Sequence, residues 1–367
     1  MRPALLSAAF ALAIAGLPGG SHPRLAIADD TKPAAGFRPL FNGTDLTGWV
    51  NVNTAPGTFF VKDGQIVTTG KPTGFLRTDR QYENFELELD WMHVEKTKTA
   101  NSGLFVWGDP LPAVGTPYTR GIEVQVLINY PKVDWATNHG DIFSIHGAHC
   151  KPDRPHPKGY ERCLPSEERV KGGGEWNHYK VIANNGVIKL HVNGKEVSGV
   201  SACRPRKGYL ALESEGAECH FKNIRIKELP STNPKQEEVA KVDEGFKSLF
   251  TGLDLSGWKT EKGAWTVAGG HLKAAGKADL VSEKKFGPCE LIFDYKFPAK
   301  VGKAQLQVSL GGLSHTHMSD SPTGKAGAWA RSTAKFHRVE NAAPLVLKAT
   351  DGLELMNLFV RELKEKK

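Results

Sequence analysis

An internal repeat is the feature that most constrains the fold of this chain. The segment FRPLFNGTDLTGW at residues 37–49 returns as FKSLFTGLDLSGW at residues 246–258, an offset of 209 residues. A closing segment returns as well, since NIRIKEL at 223–229 resembles NLFVREL at 357–363, an offset of 134 residues. Repetition of both ends of a unit predicts two related domains, of which the second is 75 residues shorter.

The repeat and the composition predict where these domains lie. We expect a complete domain at residues 37–229, a polar linker at 230–245 and a shortened domain at 246–363. A chain of 367 residues is longer than one hydrophobic core usually supports, which agrees with two domains. The net charge of +8 comes from Lys and Arg scattered among 40 acidic residues, so the charge predicts no nucleic-acid partner.

Residues 1–28 have the order of a secretory signal peptide. Arg2 precedes an apolar run at 4–17, and the small residues Ala26-Ile27-Ala28 follow. We therefore expect cleavage after Ala28 and export to the periplasm or out of the cell. The rest of the chain has no run of about 18 apolar residues, so no transmembrane segment is predicted.

The apolar residues of both copies recur with the period of β-strands. Residues 85–91 (FELELDW) alternate strictly, and residues 291–297 show a similar pattern in the second copy. Asn185-Gly186 and Asn193-Gly194 separate apolar runs, which is a strong hairpin signal. Further strands are expected at 59–67, 103–107, 178–183, 187–192, 208–213 and 219–227. Long helical periodicity is absent, so each copy is predicted to be an antiparallel β-sandwich.

The strand GIEVQVL at residues 121–127 is the first candidate for a functional site. Its apolar residues would face the core, so Glu123 and Gln125 would project together from the other face. Such a pair could bind a sugar, hold a metal or move a proton, and the alternative is an ordinary solvated strand face. The second copy has no counterpart of Glu123, which favours loss of function in that copy.

Three other carboxylates, Glu86, Glu88 and Asp90, share one face of a predicted strand. Paired carboxylates about 5 Å apart can carry out glycoside hydrolysis. The second copy keeps only part of this row, with Ile292 in the middle, so the row is interpreted as a solvated strand face.

The loop that follows the Glu123 strand is rich in histidine. His139, His146, His149 and His156 lie within 18 residues, together with Asp141. Imidazole titrates near neutral pH and is a common metal ligand, so the cluster could supply an acid, a base or coordination. The spacing is irregular and matches no tight ligand motif, so each histidine could equally brace the loop.

The cysteines allow two interpretations. Export would permit disulfides, and the pairs Cys150–Cys163 and Cys203–Cys219 would close a loop and a hairpin, leaving Cys289 over. No CxxC spacing indicates zinc binding or redox chemistry, so structural or free thiols are the other interpretation.

Five motifs, taken together, resemble one known family. LFNGTDLTGW, GIEVQVL, HGDIFSIHGA, GEWNHYKVIANNGVIKLHVNGKEVSG and FKNIRIKEL occur here in the order of the domain of unknown function 1080 family, also described as 3-keto-disaccharide hydrolases. The resemblance covers 37–229 in full and 246–363 as a shortened echo. It implies a concanavalin-like or laminin-G-like jelly roll, export in bacteria, and cleavage of 3-keto-glycosides, often by elimination with a divalent metal ion.

The resemblance also implies roles for particular residues. Glu123 and Gln125 match the family's E-x-Q strand, and His146 matches the loop that follows it. Glu123 and His146 are thereby expected to bind a metal or to share the acid and base duties, with Gln125 orienting the substrate. Further substrate contacts are expected at Arg120, His139 and Asp141. Trp176 could be a platform that stacks on a sugar, and the alternative is a core residue after a tight turn.

One departure from the family bears on function. Many members have Asp after the E-x-Q strand where this chain has Ile128, and the adjacent Asn129 would face the other way in a regular strand. We expect an exported enzyme that cleaves 3-keto-glycosides by removing the C2 proton, eliminating the aglycone and hydrating the product. The alternative is an exported carbohydrate-binding protein of the lectin type without catalysis.

Overall fold

Almost every regular element of the chain is a β-strand, in agreement with the alternation of its residues. The computed structural model of the protein describes residues 36–129, 139–276, 278–299, 303–319 and 325–363. The predicted signal peptide lies outside these ranges. Within them, no helix has the length and apolar character that a membrane span requires.

Sixteen described strands precede the predicted linker. In chain order they are β1 (Arg38–Pro39), β2 (Trp49–Val52), β3 (Phe59–Lys62), β4 (Gln65–Thr68), β5 (Gly74–Thr78), β6 (Phe85–His93), β7 (Ala100–Gly108), β8 (Gly121–Ile128), β9 (Ile142–Ile145), β10 (His149–Pro152), β11 (Arg162–Cys163), β12 (Asn177–Asn184), β13 (Val187–Val192), β14 (Lys195–Arg204), β15 (Tyr209–Ser214) and β16 (Cys219–Glu228).

Eleven described strands follow a single turn of 3-10 helix at Gln236–Glu238. They are β17 (Lys247–Ser248), β18 (Trp258–Lys259), β19 (Trp265–Ala268), β20 (His271–Ala274), β21 (Leu280–Phe286), β22 (Cys289–Lys296), β23 (Gln305–Leu310), β24 (Leu313–Met318), β25 (Trp329–Phe336), β26 (Ala343–Ala349) and β27 (Glu354–Glu362).

The strands form four antiparallel sheets. A nine-stranded sheet has the order β10-β14-β13-β12-β6-β16-β4-β3, with β1 also paired to β16, and a seven-stranded sheet has the order β11-β9-β8-β7-β15-β5-β2. After the linker, a six-stranded sheet has the order β19-β20-β27-β22-β25, with β17 paired to β27, and a five-stranded sheet has the order β18-β21-β26-β23-β24.

Each pair of sheets encloses its own hydrophobic core. Leu89 and Trp91 of β6 pack with Val124 of β8 between the nine-stranded and seven-stranded sheets. Phe293 of β22 packs with Val308 of β23 between the six-stranded and five-stranded sheets. The prediction of an all-β chain with two antiparallel jelly-roll sandwiches is therefore confirmed.

The repeated motifs have the same structural role in both sandwiches. The Trp49 indole donates a hydrogen bond to the Leu40 carbonyl at 3.2 Å, and the Trp258 indole donates to the Leu249 carbonyl at 3.1 Å. The Leu40 amide in turn donates to Ile224 in the closing motif at 2.8 Å, and the second copy has the equivalent bond. Opening and closing motifs recur together because they hydrogen-bond to one another.

The predicted Asn-Gly hairpin turns are confirmed at two positions, and a third turn interrupts a segment predicted as one strand. Asn185-Gly186 and Asn193-Gly194 have positive φ at both residues, as two-residue hairpin turns require. The prediction of one strand at 59–67 is wrong, because Asp63-Gly64 has φ of +51° and +73° and turns the chain between β3 and β4. Asp-Gly is the same kind of turn signal as Asn-Gly.

The predicted linker lies along the first sandwich. Gln81 donates a hydrogen bond to the Ala240 carbonyl at 3.0 Å, and Arg77 forms an ion pair with Asp243 at 2.7 Å. The chain from Gly36 onward is one compact unit. The domain boundaries drawn from the repeat therefore stay a prediction.

An apolar cluster joins the two sandwiches. Phe75 and Phe105, on the outer face of the seven-stranded sheet, are buried with Phe246 and Phe359 from the second copy. Phe105 is completely buried. The second sandwich therefore covers part of the sheet that carries Glu123.

All five cysteines are free and buried, so neither disulfide considered from the sequence is formed. Cys203 of β14 and Cys219 of β16 are separated by three strands of the nine-stranded sheet. At the usual strand spacing they lie about 19 Å apart, beyond the reach of a disulfide. Burial raises the pKa of the Cys150 thiol to about 11, which keeps that thiol protonated.

Candidate active site

Strand β8 has the predicted alternation, but its outer face is buried. Ile122 and Val124 point into the core of the first sandwich. Glu123 is only 6% exposed and Gln125 only 2% exposed on the opposite face. The alternative of a solvated strand face is therefore excluded.

A second carboxyl group meets Glu123 from strand β15. Strand β7 lies between β8 and β15, and its residue Gly103 is opposite Gln125 in β8. A Cβ atom at Gly103 would lie 2.8 Å from Glu123 Oε1 and 2.9 Å from Glu213 Oε2. The glycine thus leaves the space in which the two carboxyl groups approach each other.

Burial dominates the ionisation of this pair. It raises the pKa of Glu123 to about 8, with the Glu215 carboxyl adding to the rise and the Arg162 guanidinium opposing it. Burial also raises the pKa of Glu213 well above its ordinary value, and the charge of Glu123 adds to that rise. Neither carboxyl oxygen of Glu213 meets a hydrogen-bond donor among the described residues. Near neutral pH both carboxyl groups therefore favour the protonated form. When the first proton is lost, one carboxyl can act as a base and the other as an acid.

A hydrogen-bonded frame surrounds the pair. The Tyr118 hydroxyl donates to Glu215 Oε1 at 2.6 Å, and the Asn101 amide donates to Glu215 Oε2. The Gln125 amide donates to Asn101 Oδ1 and to the Ser102 carbonyl at 3.2 Å. Burial and the Glu215 charge raise the pKa of Tyr118, so its hydroxyl remains a proton donor. Gln125 therefore orders the frame rather than projecting freely.

His146 lies at the edge of this frame. Its ring stacks on the Tyr118 ring with 5.6 Å between centroids and 9° between planes, and its Nε2 is 3.4 Å from Thr116 Oγ1. Partial desolvation lowers the pKa of the His146 ring. Within the part of the chain that the structure describes, His146 contacts the Tyr118 side of the site and forms no hydrogen bond with Glu123.

The other histidines of the loop do not converge on Glu123. His139 Nε2 accepts a hydrogen bond from the backbone amide of Asn129 at 2.9 Å. His149 is exposed and lies 3.5 Å from Glu161, and the ring of His156 packs against Tyr160. The predicted substrate contact at His139 is thus a loop contact in this structure.

Asp141 and Arg120 each hold a partner rather than pointing into open space. Asp141 is fully buried and accepts a hydrogen bond from Arg162 at 2.9 Å, and Arg162 is the cation that opposes the rise in the Glu123 pKa. Arg120 forms two hydrogen bonds of 2.9 Å to Asp109. Asp141 therefore positions a charge beside the site, and Arg120 braces the loop before β8.

Trp176 lies on the opposite side of the sandwich, so the structure does not bring this expected substrate contact together with Glu123. It precedes β12 of the nine-stranded sheet, and the Lys222 ammonium lies 3.9 Å from the centre of its ring. Lys222 is opposite Asp90 on the outer face of that sheet, whereas Glu123 is on the outer face of the seven-stranded sheet.

The acidic row of β6 is an ion-paired surface. Glu86 forms ion pairs with Lys180 at 2.8 Å and Lys227 at 3.2 Å, and the Lys180 hydrogen bond lowers the Glu86 pKa. Glu88 pairs with Arg225 at 2.6 Å. These carboxylates are ion-paired with lysine and arginine, unlike Glu123 and Glu213.

Ile128 points into the core, where it is 5% exposed and packs with the other inward residues of β8. Its side chain lies on the face opposite Glu123 and Gln125. An aspartate at this position of the same strand would be buried in the sandwich core. The departure at Ile128 therefore leaves the carboxyl pair of this chain intact.

The residues expected to bind a metal do not form a metal site. His146 stacks on Tyr118 and contacts Thr116, away from Glu123. Among the described residues no group of three or more His, Cys, Asp or Glu side chains converges as a ligand set. The donor set present thus does not fit the divalent ion that the resemblance implies.

Two cavities flank the segment that carries Tyr118. One of about 580 Å³ is bordered by Arg120, His146 and, from the second sandwich, Arg331. The other, of about 480 Å³, is bordered by Tyr118 and, from the second sandwich, Leu253. Both copies of the repeat therefore line the space around the frame.

A family model and a curated protein match this chain. A family model described as the 3-keto-alpha-glucoside-1,2-lyase-like domain matches residues 36–227 and 245–333, and so covers both copies of the repeat. A curated 3-keto-disaccharide hydrolase from Bacteroides thetaiotaomicron is 20% identical over 236 residues, which are 53% of this chain and 79% of that protein.

Solved structures of carbohydrate-related proteins are similar to this chain. A proposed glycosyl hydrolase from Parabacteroides distasonis is 25% identical, with coverage of 53% of this chain and 94% of that chain and a TM-score of 0.41. The carbohydrate-binding module CBM66 from Bacillus subtilis is 14% identical, with coverage of 48% and 94% and a TM-score of 0.31.

Proposed function

The chain belongs to the family of 3-keto-alpha-glucoside-1,2-lyase-like domains, and from this premise we propose that its first sandwich cleaves 3-keto-glycosides. The observation that carries the proposal is the buried pair of Glu123 and Glu213, whose pKa values are both raised. A pair that has lost one of its two protons supplies a base and an acid at one place, which is what elimination next to a ketone needs.

The first half of the reaction is an elimination. The ketone at C3 acidifies the C2 proton, and the ionised carboxyl of the pair takes that proton while its electrons form the enolate. The enolate then collapses to a C1–C2 double bond, and the C1–oxygen bond to the aglycone breaks. The protonated carboxyl of the pair gives its proton to the departing oxygen, so the proton count of the pair is unchanged.

The second half hydrates the unsaturated product. The carboxyl that was left ionised takes a proton from water as the water oxygen attacks C1. The other carboxyl returns its proton to C2. The sum of the two halves is hydrolysis, and the pair ends in the protonation state in which it began.

Two groups can stabilise the enolate oxygen. The Tyr118 hydroxyl is kept protonated by its surroundings, and its one hydrogen, which is donated to Glu215 in this structure, can be donated to the enolate oxygen instead. The positive charge of the Arg162 guanidinium opposes the rise in the Glu123 pKa. The same charge favours a developing anion. No step of the proposal passes through a metal ion.

The test is cleavage of a 3-keto-glucoside by the purified full chain, with the same glucoside bearing a C3 hydroxyl as the matched substrate. We expect aglycone release from the ketone alone, because only the ketone acidifies C2. Parallel assays with a chelator and with added divalent cations show whether activity depends on a metal. Sugar binding without turnover in every arm would contradict the proposal and support the lectin-type alternative.

Export is part of the proposal. The order of charged, apolar and small residues in positions 1–28 supports a cleaved signal peptide. The exported protein is expected to begin near Asp29, which intact-mass measurement checks. An intact N-terminus in a protein recovered from the cytoplasm would contradict it.

A further inference from the structure

One loop connects the second sandwich to the candidate active site. This Tyr118 loop, residues 109–120, joins β7 to β8 and so links the strands of Gly103 and Glu123. The second sandwich hydrogen-bonds to it at four points. Asn357 donates to the Ala113 carbonyl at 3.3 Å and to the Thr116 carbonyl at 2.9 Å. Arg331 donates to the Pro112 carbonyl at 2.9 Å, and the Gly115 amide donates to Asp294 at 2.9 Å.

The three side chains of the second sandwich form one buried cluster. Asp294 accepts hydrogen bonds from Arg331 at 2.7 and 3.0 Å and from Asn357 at 2.7 Å. Asp294 and Asn357 are completely buried. Breaking one member of such a cluster leaves an uncompensated buried polar group, so the cluster has one preferred arrangement.

Hydrogen bonds within the loop connect the residues that the cluster contacts to the backbone of Tyr118. The Ala113 amide donates to the Tyr118 carbonyl at 2.8 Å. The Tyr118 amide in turn lies 3.3 Å from the Thr116 hydroxyl. Asn357 therefore holds the two residues that hydrogen-bond to the backbone of Tyr118.

The loop fits closely against the second sandwich at Gly115. Gly115 has φ of +70°, and a Cβ atom there would lie 2.4 Å from the Trp329 side chain. A larger residue would push the loop away from the Asp294 cluster. The close packing of the loop against the second sandwich therefore depends on a glycine at position 115.

The first sandwich contains the same Asp–Asn pair without the loop. Asn223 donates to Asp90 at 2.6 Å, and Asn223 and Asn357 both have φ of +52°. In the first copy His178 takes the place of Arg331 and lies 2.7 Å from Asp90. The Asp90 side chain is 19% exposed, whereas that of Asp294 is 0% exposed. The pair is thus common to the repeat, and the docked loop distinguishes the second copy.

We infer that Asp294, Arg331 and Asn357 position Tyr118 for the reaction in the first sandwich. The shortened copy, which has no counterpart of Glu123, is then a working part of the active site and not a separate module. This inference rests on the proposed function for its kinetic consequences, and on the loop contacts alone for its structural ones.

The test compares Asn357→Gly with its matched control Asn223→Gly. Glycine tolerates the positive φ of both positions, so each change removes only the side-chain amide. We expect Asn357→Gly to lower kcat for 3-keto-glycoside cleavage about a hundredfold, since small displacements of catalytic groups have effects of that order. We expect Asn223→Gly to leave kcat near the wild-type value.

A double-mutant cycle with Tyr118→Phe separates positioning from general destabilisation. If Asn357 acts through Tyr118, Asn357→Gly lowers kcat much less in the Tyr118→Phe background than in the wild type. The inference would be overturned if the loss of kcat in the double variant equalled the product of the two single losses. It would also be overturned if Asn357→Gly had the kcat of the wild type. Should Asn357→Gly fail to fold, Arg331→Gln, at a less buried position, takes its place in the same cycle.

Hydrogen exchange distinguishes failure of this inference from failure of the proposed function. A wild-type chain that cleaves no 3-keto-glycoside refutes the function, and exchange at the Tyr118 loop then decides the inference. Faster exchange of the loop amides in Asn357→Gly than in Asn223→Gly supports it. Equal exchange in the two variants overturns it.

Discussion

Glu123→Gln is expected to lower kcat for 3-keto-glycoside cleavage about a thousandfold, within the range that a positioned acid or base supplies. Glutamine keeps the size and shape of the side chain but can neither take nor give the C2 proton. Glu123 is buried with its pKa raised to about 8, so a neutral amide matches the protonated carboxyl that is present at neutral pH. The melting temperature should therefore be unchanged or higher.

Glu86→Gln is the matched control for this change. Glu86 is also a strand carboxylate with an outward side chain, but it lies on the nine-stranded sheet, where it is ion-paired with Lys180. We expect its kcat to equal that of the wild type. Full activity of Glu123→Gln, or a comparable loss in Glu86→Gln, would remove the carboxyl pair from the reaction.

Glu213→Gln is expected to lower kcat by about two orders of magnitude and to change its dependence on pH. In the wild type, cleavage needs one carboxyl of the pair ionised and the other protonated, so kcat should rise and then fall with pH. In the Glu213→Gln variant, Glu123 is the one member of the pair that still titrates. The residual activity should then rise with pH in a single step and have no falling limb.

The same pair gives stability a pH dependence whose sign follows from the raised pKa values. Between the ordinary pKa of 4.5 and the raised value of about 8, the unfolded chain loses the Glu123 proton while the folded chain keeps it. Stability contributed by that proton is complete below this window and is lost as pH rises through it, by at most about 1.4 kcal/mol per pH unit.

Urea unfolding from pH 5 to pH 8 checks this sign. The free energy of unfolding of the wild type should fall more steeply with rising pH than that of Glu123→Gln or Glu213→Gln. Glu86→Gln should follow the slope of the wild type. Parallel slopes for the wild type and both variants of the pair would mean that Glu123 and Glu213 titrate normally in the folded chain.

The fold was predictable from the sequence because its signals are local. Alternation identified β6 and β8, and Asn-Gly dipeptides identified two hairpins. The repeat of the Trp49 motif at Trp258 indicated that one architecture occurs twice. The split of residues 59–67 into two strands was also signalled, by Asp63-Gly64, and was missed because the apolar residues on either side continue the strand pattern.

The partner of Glu123 was not predictable in the same way. Glu213 ends the apolar run YLALES in β15, about 90 residues along the chain, and nothing local marks its register against β8. The position of Gly103 between the two carboxyls is likewise a property of strand order. The sequence does show a single Glu at the end of a predicted buried strand. That Glu can be assigned to the site only when the order of the neighbouring strands is known.

Trp176 was misplaced for a related reason. Its residue type and its neighbours suit a sugar platform, but the strand that follows it belongs to the nine-stranded sheet, and the sheet to which a strand belongs cannot be read from its own residues. The role of the second copy was hidden as well. Asn357 repeats Asn223 in sequence, and only the structure shows that the Tyr118 loop docks on one of the two.

Removal of the C2 proton by the carboxyl pair is the central claim, and an isotope comparison tests it most directly. Single-turnover cleavage of a 3-keto-glucoside carrying deuterium at C2 is compared with that of the unlabelled compound, in the wild type and in Glu123→Asp, where proton removal is slowed. We expect slower aglycone release from the deuterated compound in both proteins. Equal rates for the two compounds in both proteins would contradict it.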